Sequence, residues 1–376
     1  MSVIIFIIIL LVLVLVHEFG HFWTAKKFGV RVDEFGFGFP PKLFSWKRGE
    51  TEYSFNLLPI GGFVKIFGEN PDDENTNGPD RERSFVHKAK WKQAIVLFAG
   101  VFMNFMLAWL LFSIGLMSGF PTAVDSSTQK YELEDVNLVV MSVAPESPAE
   151  VAGLKPGDAI ITVSSLSDEI GEETENLIEI NPESLREFVV ARPDKTIEIG
   201  YVRGKNNSNS DIDFVNLKPV PSVVDGKPMI GISMNEIGIA KLPILEAFWK
   251  GFTLTLTMTK DTAVGLYTLI LEGIKGQGSM AAVTGPVGMV GIVGDAYDYG
   301  FAYLISFAAI ISVNLAIINL LPFPALDGGR LFFLLIEKIK GSRINPKVAN
   351  TMNLVGFAIL ILLMIAVTYN DITRLV

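Results

Sequence analysis

Four long apolar runs dominate the hydrophobic pattern of the chain, and polar segments separate them. The runs extend from Val3 to Thr24, from Ala94 to Phe120, from Gly300 to Leu321 and from Met352 to Thr368. A helix needs roughly 20 apolar residues to cross the hydrocarbon core of a bilayer. The pattern therefore predicts four transmembrane helices, of which the last is short unless Val348 and its neighbours lengthen it.

The composition of the chain agrees with membrane insertion and excludes several classes of function. Half of the 376 residues are hydrophobic and 19% are charged, more apolar than a soluble protein requires. The net charge of −9 argues against a nucleic-acid partner, because phosphate binding needs a basic face. The chain has no cysteine, which excludes disulfides, thiolate metal sites and cysteine nucleophiles.

The first apolar run also has the length of a secretory signal peptide. No Lys or Arg precedes it, and a His-Glu-Phe-Gly-His segment follows where small residues would mark a cleavage site. We therefore expect this run to be a membrane helix that is retained.

Lys and Arg residues near the ends of the runs predict the orientation in the membrane. Segment 25–92 carries twelve of them and loop 322–351 carries five, whereas residues 119–135 carry only Lys130. Because cytoplasmic segments are enriched in Lys and Arg, both basic segments should be cytoplasmic. The long middle segment and both termini should then be extracytoplasmic.

The middle segment and the stretch after it differ in pattern. Within 121–235, short apolar runs such as Val136 to Val143 and Ile197 to Val202 alternate with Gly, Pro and Asn turns, which predicts a β-rich soluble domain. Residues 244–276 instead alternate at helical spacing. They suit amphipathic helices on the membrane surface or, equally, a packed connecting helix.

Two of the three histidines lie four residues apart inside the first run, in His17-Glu18-Phe19-Gly20-His21. On a helix, residues four apart share a face, so both imidazoles can bind one Zn²⁺ while Glu18 acts as a general base beside it. Placing a carboxylate in a span costs roughly 2–3 kcal/mol unless a partner or cavity offsets it. The motif therefore predicts a catalytic metal site.

A catalytic zinc site also needs a third protein ligand, and two residues are candidates. Asp327 follows the third run, where two prolines stop the helix and two glycines permit a turn back toward the metal. His87, the remaining histidine, lies just before the second run. Asp327 is favoured because it lies at the same cytoplasmic end as the two histidines, and His87 stays open.

Together the two motifs resemble the site-2 protease family of intramembrane metalloproteases, and most closely its bacterial regulator of sigma E protease type. The residues that fall on the family pattern are His17, Glu18, His21, Asn319, Pro322, Pro324, Leu326, Asp327 and Gly328. The resemblance implies that His17, His21 and Asp327 bind Zn²⁺ and that Glu18 is the general base. It also implies that Asn319 contacts the substrate or the site.

Other segments extend the resemblance on the cytoplasmic side. Residues Gly36 to Pro40 resemble a family loop after the first span, and Tyr53 to Glu69 resemble a membrane-associated β-element. By this resemblance an edge of the element, Gly61-Gly62-Phe63-Val64-Lys65, binds an unwound substrate by strand addition.

The extracytoplasmic segment carries one further resemblance. Residues Ser147 to Ile160 are similar to the signature of a PDZ domain, which implies a peptide or protein ligand there; only one such signature is present. In the second span, Gly100-Val101-Phe102-Met103-Asn104 lacks the proline that the family commonly has at its second position. Asn104 either bonds near the active site or, as the simpler interpretation, packs between helices.

These features predict a polytopic α-helical membrane protein with about four transmembrane helices, a cytoplasmic-side membrane-associated β-element and an inserted extracytoplasmic α+β PDZ-like domain. The expected segments are the first helix 1–24, the loop with the β-element 25–92, the second helix 93–120, the PDZ-like domain 121–235, the membrane-surface connector 236–299, the third helix 300–321, the loop with the Leu-Asp-Gly motif 322–351, and the fourth helix and C-terminus 352–376.

The expected function is zinc-dependent intramembrane proteolysis. The resemblance implies hydrolysis within transmembrane segments of single-span proteins, such as anti-sigma factors or remnant signal peptides, in a bacterial inner membrane. The alternative is a catalytically inactive, membrane-anchored PDZ adaptor, but an adaptor does not need Glu18 between two histidines. A zinc transporter or sensor would need more metal ligands than three histidines and no cysteine supply.

Overall fold

A computed structural model describes residues 1–70, 77–124, 133–166, 175–204, 212–221, 226–276 and 283–375. The chain forms two compact units. The first comprises Met1–Ser113, Phe248–Gly294 and Ile305–Val376, and the second comprises Ile114–Ala247 and Asp295–Leu304.

The strands of the described residues lie in the first two thirds of the chain, and the last third is helical. The helices are α1 (Ser2–Lys27), α2 (Lys90–Ser118), α3 (Pro148–Val151), α4 (Pro182–Val190), α5 (Ile244–Ile274), α6 (Pro286–Tyr299), α7 (Phe301–Leu320), α8 (Asp327–Lys340) and α9 (Pro346–Leu375). The strands are β1 (Val32–Arg48), β2 (Thr51–Ile66), β3 (Phe120–Ala123), β4 (Leu133–Val143), β5 (Ala159–Leu166), β6 (Glu175–Asn176), β7 (Thr196–Val202), β8 (Asp213–Leu217), β9 (Val220–Pro221), β10 (Pro228–Met229) and β11 (Ile232–Ala240).

Four of these helices, α1, α2, α7 and α9, are long and apolar enough to cross a membrane, with mean hydropathy between 2.3 and 2.9 in their most apolar windows. Each of the four predicted runs thus forms a candidate membrane-spanning helix. The fourth begins at Pro346, six residues before the predicted Met352. Proline suits the first turn of a helix, and the Asn345 side chain accepts a hydrogen bond from the Lys347 backbone N–H at 2.9 Å, so the chain enters the helix earlier than the apolar run.

The β-element of the first unit is larger than the sequence predicts. It begins at Val32 rather than Tyr53, so residues Gly36 to Pro40 lie in strand β1 and not in a loop. Both strands bend and pair twice, and Phe35 therefore faces Val64 on one side and Tyr53 on the other. Strand β1 contains alternating aromatic residues and glycines. The sequence suggested a loop because of these glycines.

The segment after the third span also differs from prediction, because helix α8 occupies much of what we expected to be a loop over 322–351. Its apolar residues recur at helical spacing, and Leu334 is buried. The helix ends at Gly341, which has a φ of 73° in the left-handed region that glycine adopts without steric cost. Asp327 is therefore the first residue of a helix and not part of a free turn.

The second unit contains an antiparallel sheet and two short helices. Its strand order is β3-β11-β4-β5-β7-β8, with β6 paired to β5. The core beneath it is formed by Leu138, Val140, Leu185, Ile197, Ile199 and their neighbours. Strand β11 continues to Ala240, five residues past the boundary predicted at 235, because its last residues pair with β3.

The stretch that resembles a PDZ signature forms a tight turn in this unit. The Ser147 hydroxyl accepts a hydrogen bond from the Glu150 N–H at the start of α3. Asp158 is completely buried, and its two oxygens accept from Arg203 at 2.6 and 2.7 Å and from the Lys155 N–H at 2.8 Å. This ion pair raises the pKa of Arg203 above its ordinary value.

The predicted connector over 236–299 consists of the two helices α5 and α6 after the end of β11. Residues of α5 pack on α2, where the Trp109 Nε1–H donates to the Phe248 carbonyl at 2.8 Å and Gly251 lies against Ser113. Other apolar residues of α5, such as Trp249 and Tyr267, are exposed. The helix thus combines a packed face with an exposed apolar one.

Candidate active site

Helix α1 brings His17 and His21 to one face, one turn apart. Both rings are buried, with 6% and 7% of the residue surface exposed. Their Nε2 atoms lie 3.1 Å apart. The i, i+4 spacing that predicted a shared face is sufficient to produce this arrangement.

Asp327 completes a cluster of three ligand atoms, although it is 310 residues away from His17 in sequence. Its Oδ2 lies 3.0 Å from His17 Nε2 and 3.2 Å from His21 Nε2. Ligands at about 2.0–2.1 Å from a tetrahedral zinc are separated by about 3.3 Å, so the three atoms are spaced as neighbouring vertices of such a site. Two imidazoles and one carboxylate thus fit Zn²⁺ and leave a fourth position free.

Among the described residues with metal-ligand potential, this cluster contains His17, His21 and Asp327 and does not include His87. His87 lies at the end of a short 3-10 turn over Phe85–His87 and is exposed. The sequence favoured Asp327 as the third ligand and kept His87 as the alternative, and the geometry brings Asp327 to the histidines.

Each imidazole is held through its other nitrogen by helix α2. His21 Nδ1 lies 2.8 Å from the Val96 carbonyl, to which it donates, and this leaves Nε2 as a lone-pair donor. His17 Nδ1 lies 3.3 Å from the Asn104 amide. The Asn104 oxygen is buried without a partner, and a half-turn of the amide would let it accept the Nδ1–H of His17. Such outer contacts fix the tautomer of metal-binding histidines.

Two glycines let α1 and α2 approach closely at the site. A Cβ on Gly20 would lie 2.7 Å from the Ala99 carbonyl carbon, and one on Gly100 would lie 2.7 Å from His17 Cε1 and 2.8 Å from His17 Nε2. Sequence reasoning noted Gly100 only as part of a departure from the family pattern. The signal was present, since small residues mark close helix contacts in membranes.

Glu18 lies between the histidines and strand β2. Its charge interacts with His17, His21, Asp327 and Arg330. A Cβ on Gly62 would lie 3.6 Å from Glu18 Cγ, so the strand passes directly over this carboxylate. The carboxylate is therefore close both to the ligand cluster and to the predicted substrate strand.

Arg330 is a further residue that sequence reasoning missed. It lies one turn after Asp327 in α8 and forms an ion pair with Glu69, just beyond the end of β2. Burial lowers the pKa of the Arg330 guanidinium from its ordinary value, and the charge of Glu18 opposes that change. The pair ties the helix of Asp327 to the end of the β-element.

The electrostatics of Asp327 favour the ionised carboxylate. Burial alone would raise the pKa of Asp327, but when both imidazoles are protonated, the charge of His21 and hydrogen bonds from both rings hold that pKa well below its ordinary value. An ionised carboxylate is the form that binds a cation.

The predicted substrate-binding residues lie beside the site. Gly61, Gly62, Phe63, Val64 and Lys65 lie near the end of β2, and Gly62 to Lys65 pair with Glu34 to Phe37 on one side. Their other edge has no partner strand in the described part of the chain. Asn319 is the penultimate residue of α7 and is half-buried, and its amide makes no hydrogen bond to any described residue.

Comparisons with known proteins agree over nearly the whole chain. The model of peptidase family M50 matches residues 5–363. Zinc metalloprotease RasP of Oceanobacillus iheyensis is 30% identical over 453 residues, covering 100% of this chain and 99% of the relative. A putative zinc metalloprotease of Clostridium perfringens is 34% identical over 362 residues, covering 96% and 95%. Regulator of sigma-W protease RasP of Bacillus subtilis is 30% identical over 450 residues, covering 100% and 99%.

The family match, the zinc metalloproteases among the relatives and a ligand cluster spaced for tetrahedral zinc lead to one conclusion. The resemblance inferred from the two motifs is confirmed, and the inactive adaptor is not favoured. The chain belongs to peptidase family M50, the site-2 protease family, and is a zinc metalloprotease.

Proposed function

We propose that the protein is an intramembrane endopeptidase that hydrolyses peptide bonds within the transmembrane segments of single-span membrane proteins. In this proposal His17, His21 and Asp327 bind the zinc and Glu18 is the general base. The observation that carries it is the convergence of three ligand atoms, 3.0–3.2 Å apart. Two of the three belong to α1, a helix apolar enough to span a membrane.

The chemistry divides between the metal and the side chains. When bound, Zn²⁺ activates a water molecule and polarises the scissile carbonyl. Glu18 takes the proton of that water and later delivers it to the leaving amine. Val96 and Asn104 hold the two imidazoles in orientation. Arg330 lies close enough to Glu18 for the charges of the two side chains to interact.

A helical substrate hides its carbonyls in its own hydrogen bonds, and an unpaired backbone group in lipid costs several kcal/mol. The open edge of β2 from Gly61 to Lys65 offers replacement bonds, because an extended segment can add to it as a further strand. Gly62 lies against Glu18, so a strand on this edge would pass close to the base. The free amide of Asn319 is available for a further bond to the substrate.

The second unit is proposed to be an extracytoplasmic PDZ-like domain that binds a peptide or protein. A groove of about 930 Å³ runs between α4 and residues 227–234. Strand β11 pairs with β3 only over Ile237–Ala240, so its Ile232–Asn235 edge is open beside the groove within the described residues. An extended peptide can pair with such an edge while the groove receives its side chains.

The proposed setting is the inner membrane of a bacterium, with the active site near the cytoplasmic side. The excess of Lys and Arg in 25–92 and 322–351 supports this orientation. One relative is named a regulator of sigma-W protease, which supports an anti-sigma factor as one substrate class. Remnant signal peptides are a second class with the same single-span chemistry.

The test is cleavage of a tagged single-span reporter by purified protein in detergent, with bound zinc measured in each sample. Wild type is compared with Glu18→Gln and with Glu272→Gln, an exposed glutamate of α5 that undergoes the same chemical change. We expect wild type and Glu272→Gln to cleave, and Glu18→Gln to retain zinc without cleaving. Cleavage by Glu18→Gln at the wild-type rate would reject the general-base assignment, and no cleavage of any single-span reporter by zinc-loaded wild type would reject the intramembrane activity.

A further inference from the structure

The turn that leads into Asp327 has an unfavourable backbone conformation. Ala325 has a φ of 77°, in the left-handed region that costs L-residues other than glycine roughly 1–2 kcal/mol. The Phe323 N–H bonds to the Leu321 carbonyl at 2.7 Å and the Leu326 N–H to the Phe323 carbonyl at 3.1 Å. These local bonds close the turn, but an alanine in this conformation needs support from outside it.

Helix α9 supplies that support from a single face. The Ala325 N–H donates to Asn353 Oδ1 at 3.3 Å. One turn further on, Gly356 lies against Pro324, where a Cβ would come within 2.7 Å of the Pro324 Cβ and 2.8 Å of its carbonyl carbon. Residues three apart on a helix are neighbours on its surface, so Asn353 and Gly356 form one contact with the turn.

This contact stands out because α9 is otherwise little buried. Only 11% of its most apolar window is buried, and Leu354, Val355 and Phe357 around Gly356 are 69%, 54% and 57% exposed. Gly356 itself is buried. Asn353 and Gly356 thus lie where this span contacts the turn, whereas Leu354 and Val355 between them are exposed apolar residues, as expected for a face toward lipid.

Asp327 follows the turn immediately and starts α8. Any change in the Pro324–Leu326 backbone therefore moves the carboxylate relative to the histidines, which α1 and α2 hold independently. A displacement of about 1 Å at such a site is enough to reduce a rate about 100-fold.

We propose that Asn353 and Gly356 of α9 are positioning residues that hold the Pro324–Leu326 turn and thereby fix the Asp327 carboxylate in the metal site. This inference rests on the proposed role of Asp327 as the third zinc ligand. The fourth span thus controls metal affinity although it contributes no ligand.

The test measures zinc retention in a chelator titration, together with kcat and KM for the reporter. We expect Asn353→Leu and Gly356→Val to weaken zinc binding and lower kcat by about tenfold or more, as loss of a supporting contact around a metal ligand does, with KM unchanged. Asn353→Asp keeps an acceptor for the Ala325 N–H and should behave as wild type. The matched controls are Asn350→Leu, an exposed asparagine one turn earlier, and Gly265→Val, where no atom lies within 4 Å of a new Cβ.

A double variant separates positioning from general damage. Glycine adopts a positive φ without steric cost, so Ala325→Gly should restore zinc affinity and kcat to Asn353→Leu. Wild-type zinc affinity in both Asn353→Leu and Gly356→Val, or a loss that Ala325→Gly does not restore, would overturn the inference. Asp327→Asn separates failure of the proposed ligand set from failure of the positioning role of α9. If this variant binds zinc as wild type does, the proposed ligand set fails, whatever the α9 variants show.

Discussion

The two halves of the proposed metal site differ in what holds them in place. His17 and His21 are placed by one helix, so any sequence that makes α1 helical brings their rings together. Asp327 is brought to them by a turn with a left-handed alanine, which an amide from α9 supports, and by an ion pair between Arg330 and Glu69. The local half is robust to change elsewhere, whereas the distant half depends on residues that never touch the metal.

Removing a histidine should have the largest effect. We expect His21→Ala to lose bound zinc and to reduce reporter cleavage below detection, because a site with two protein ligands binds the metal poorly. His87→Ala is the matched change and should retain both zinc and cleavage. Zinc loss in His87→Ala with a folded protein would contradict the assignment of Asp327 as third ligand.

A methyl group on the facing helix should be almost as damaging as loss of a ligand. Gly100→Ala places a Cβ against both imidazoles, and we expect zinc affinity and kcat to fall by about 100-fold. Gly265→Ala, at an open position of α5, should be neutral or slightly stabilising, since alanine favours helices. Equal zinc content in wild type and Gly100→Ala would show that the α1–α2 contact can open without cost.

A change in the substrate strand should affect turnover and not metal binding. Gly62→Ala introduces a Cβ 3.1 Å from the Gly36 carbonyl and 3.6 Å from Glu18 Cγ. We expect kcat/KM to fall by about tenfold with zinc content unchanged. Lys65→Ala serves as the control, because strand addition uses backbone atoms and Lys65 is exposed. A larger loss in Lys65→Ala than in Gly62→Ala would argue against pairing at this edge.

The second unit should respond in stability and hardly in chemistry. Asp158→Asn removes the charge that pairs with Arg203, and because the Arg203 side chain is 35% exposed, we expect a loss of about 1–2 kcal/mol of stability. We expect faster proteolysis of the second unit at unchanged cleavage of a reporter that has only a short extracytoplasmic tail. Glu198→Gln, which keeps an acceptor for the 3.4 Å hydrogen bond from the Ser164 hydroxyl, is the control. Loss of zinc in Asp158→Asn would contradict this division.

The contrast between local and distant placement also explains what the sequence could predict. The four spans follow from hydropathy and the histidine pair from helical spacing, because both depend on neighbours in the chain. The extent of β1 was missed because Gly36 and Gly38 suggest a loop until their pairing with β2 is known. Helix α8 was missed because the two glycines after Asp327 weaken a helical pattern.

The residues that support the site were hidden for the same reason. Gly100, Arg330 and Asn353 belong to separate elements, and nothing in their local sequence connects them to His17. Asn104 is a polar residue in an apolar span, which weakly indicated a role there. Its contact with His17 is both a bond near the site and a contact between two helices, the two interpretations that the sequence left open. Tertiary contacts decide these positions, and one sequence alone does not contain them.

The most direct test of the zinc site is X-ray absorption spectroscopy at the zinc edge on purified wild type and Asp327→Asn. We predict stoichiometric zinc in wild type, with two imidazole nitrogens and light oxygen ligands at about 2.0–2.1 Å. In Asp327→Asn, we predict zinc loss or one oxygen ligand fewer. An unchanged spectrum in the variant, or a wild-type spectrum with a single imidazole, would contradict the assignment of His17, His21 and Asp327 as the zinc ligands.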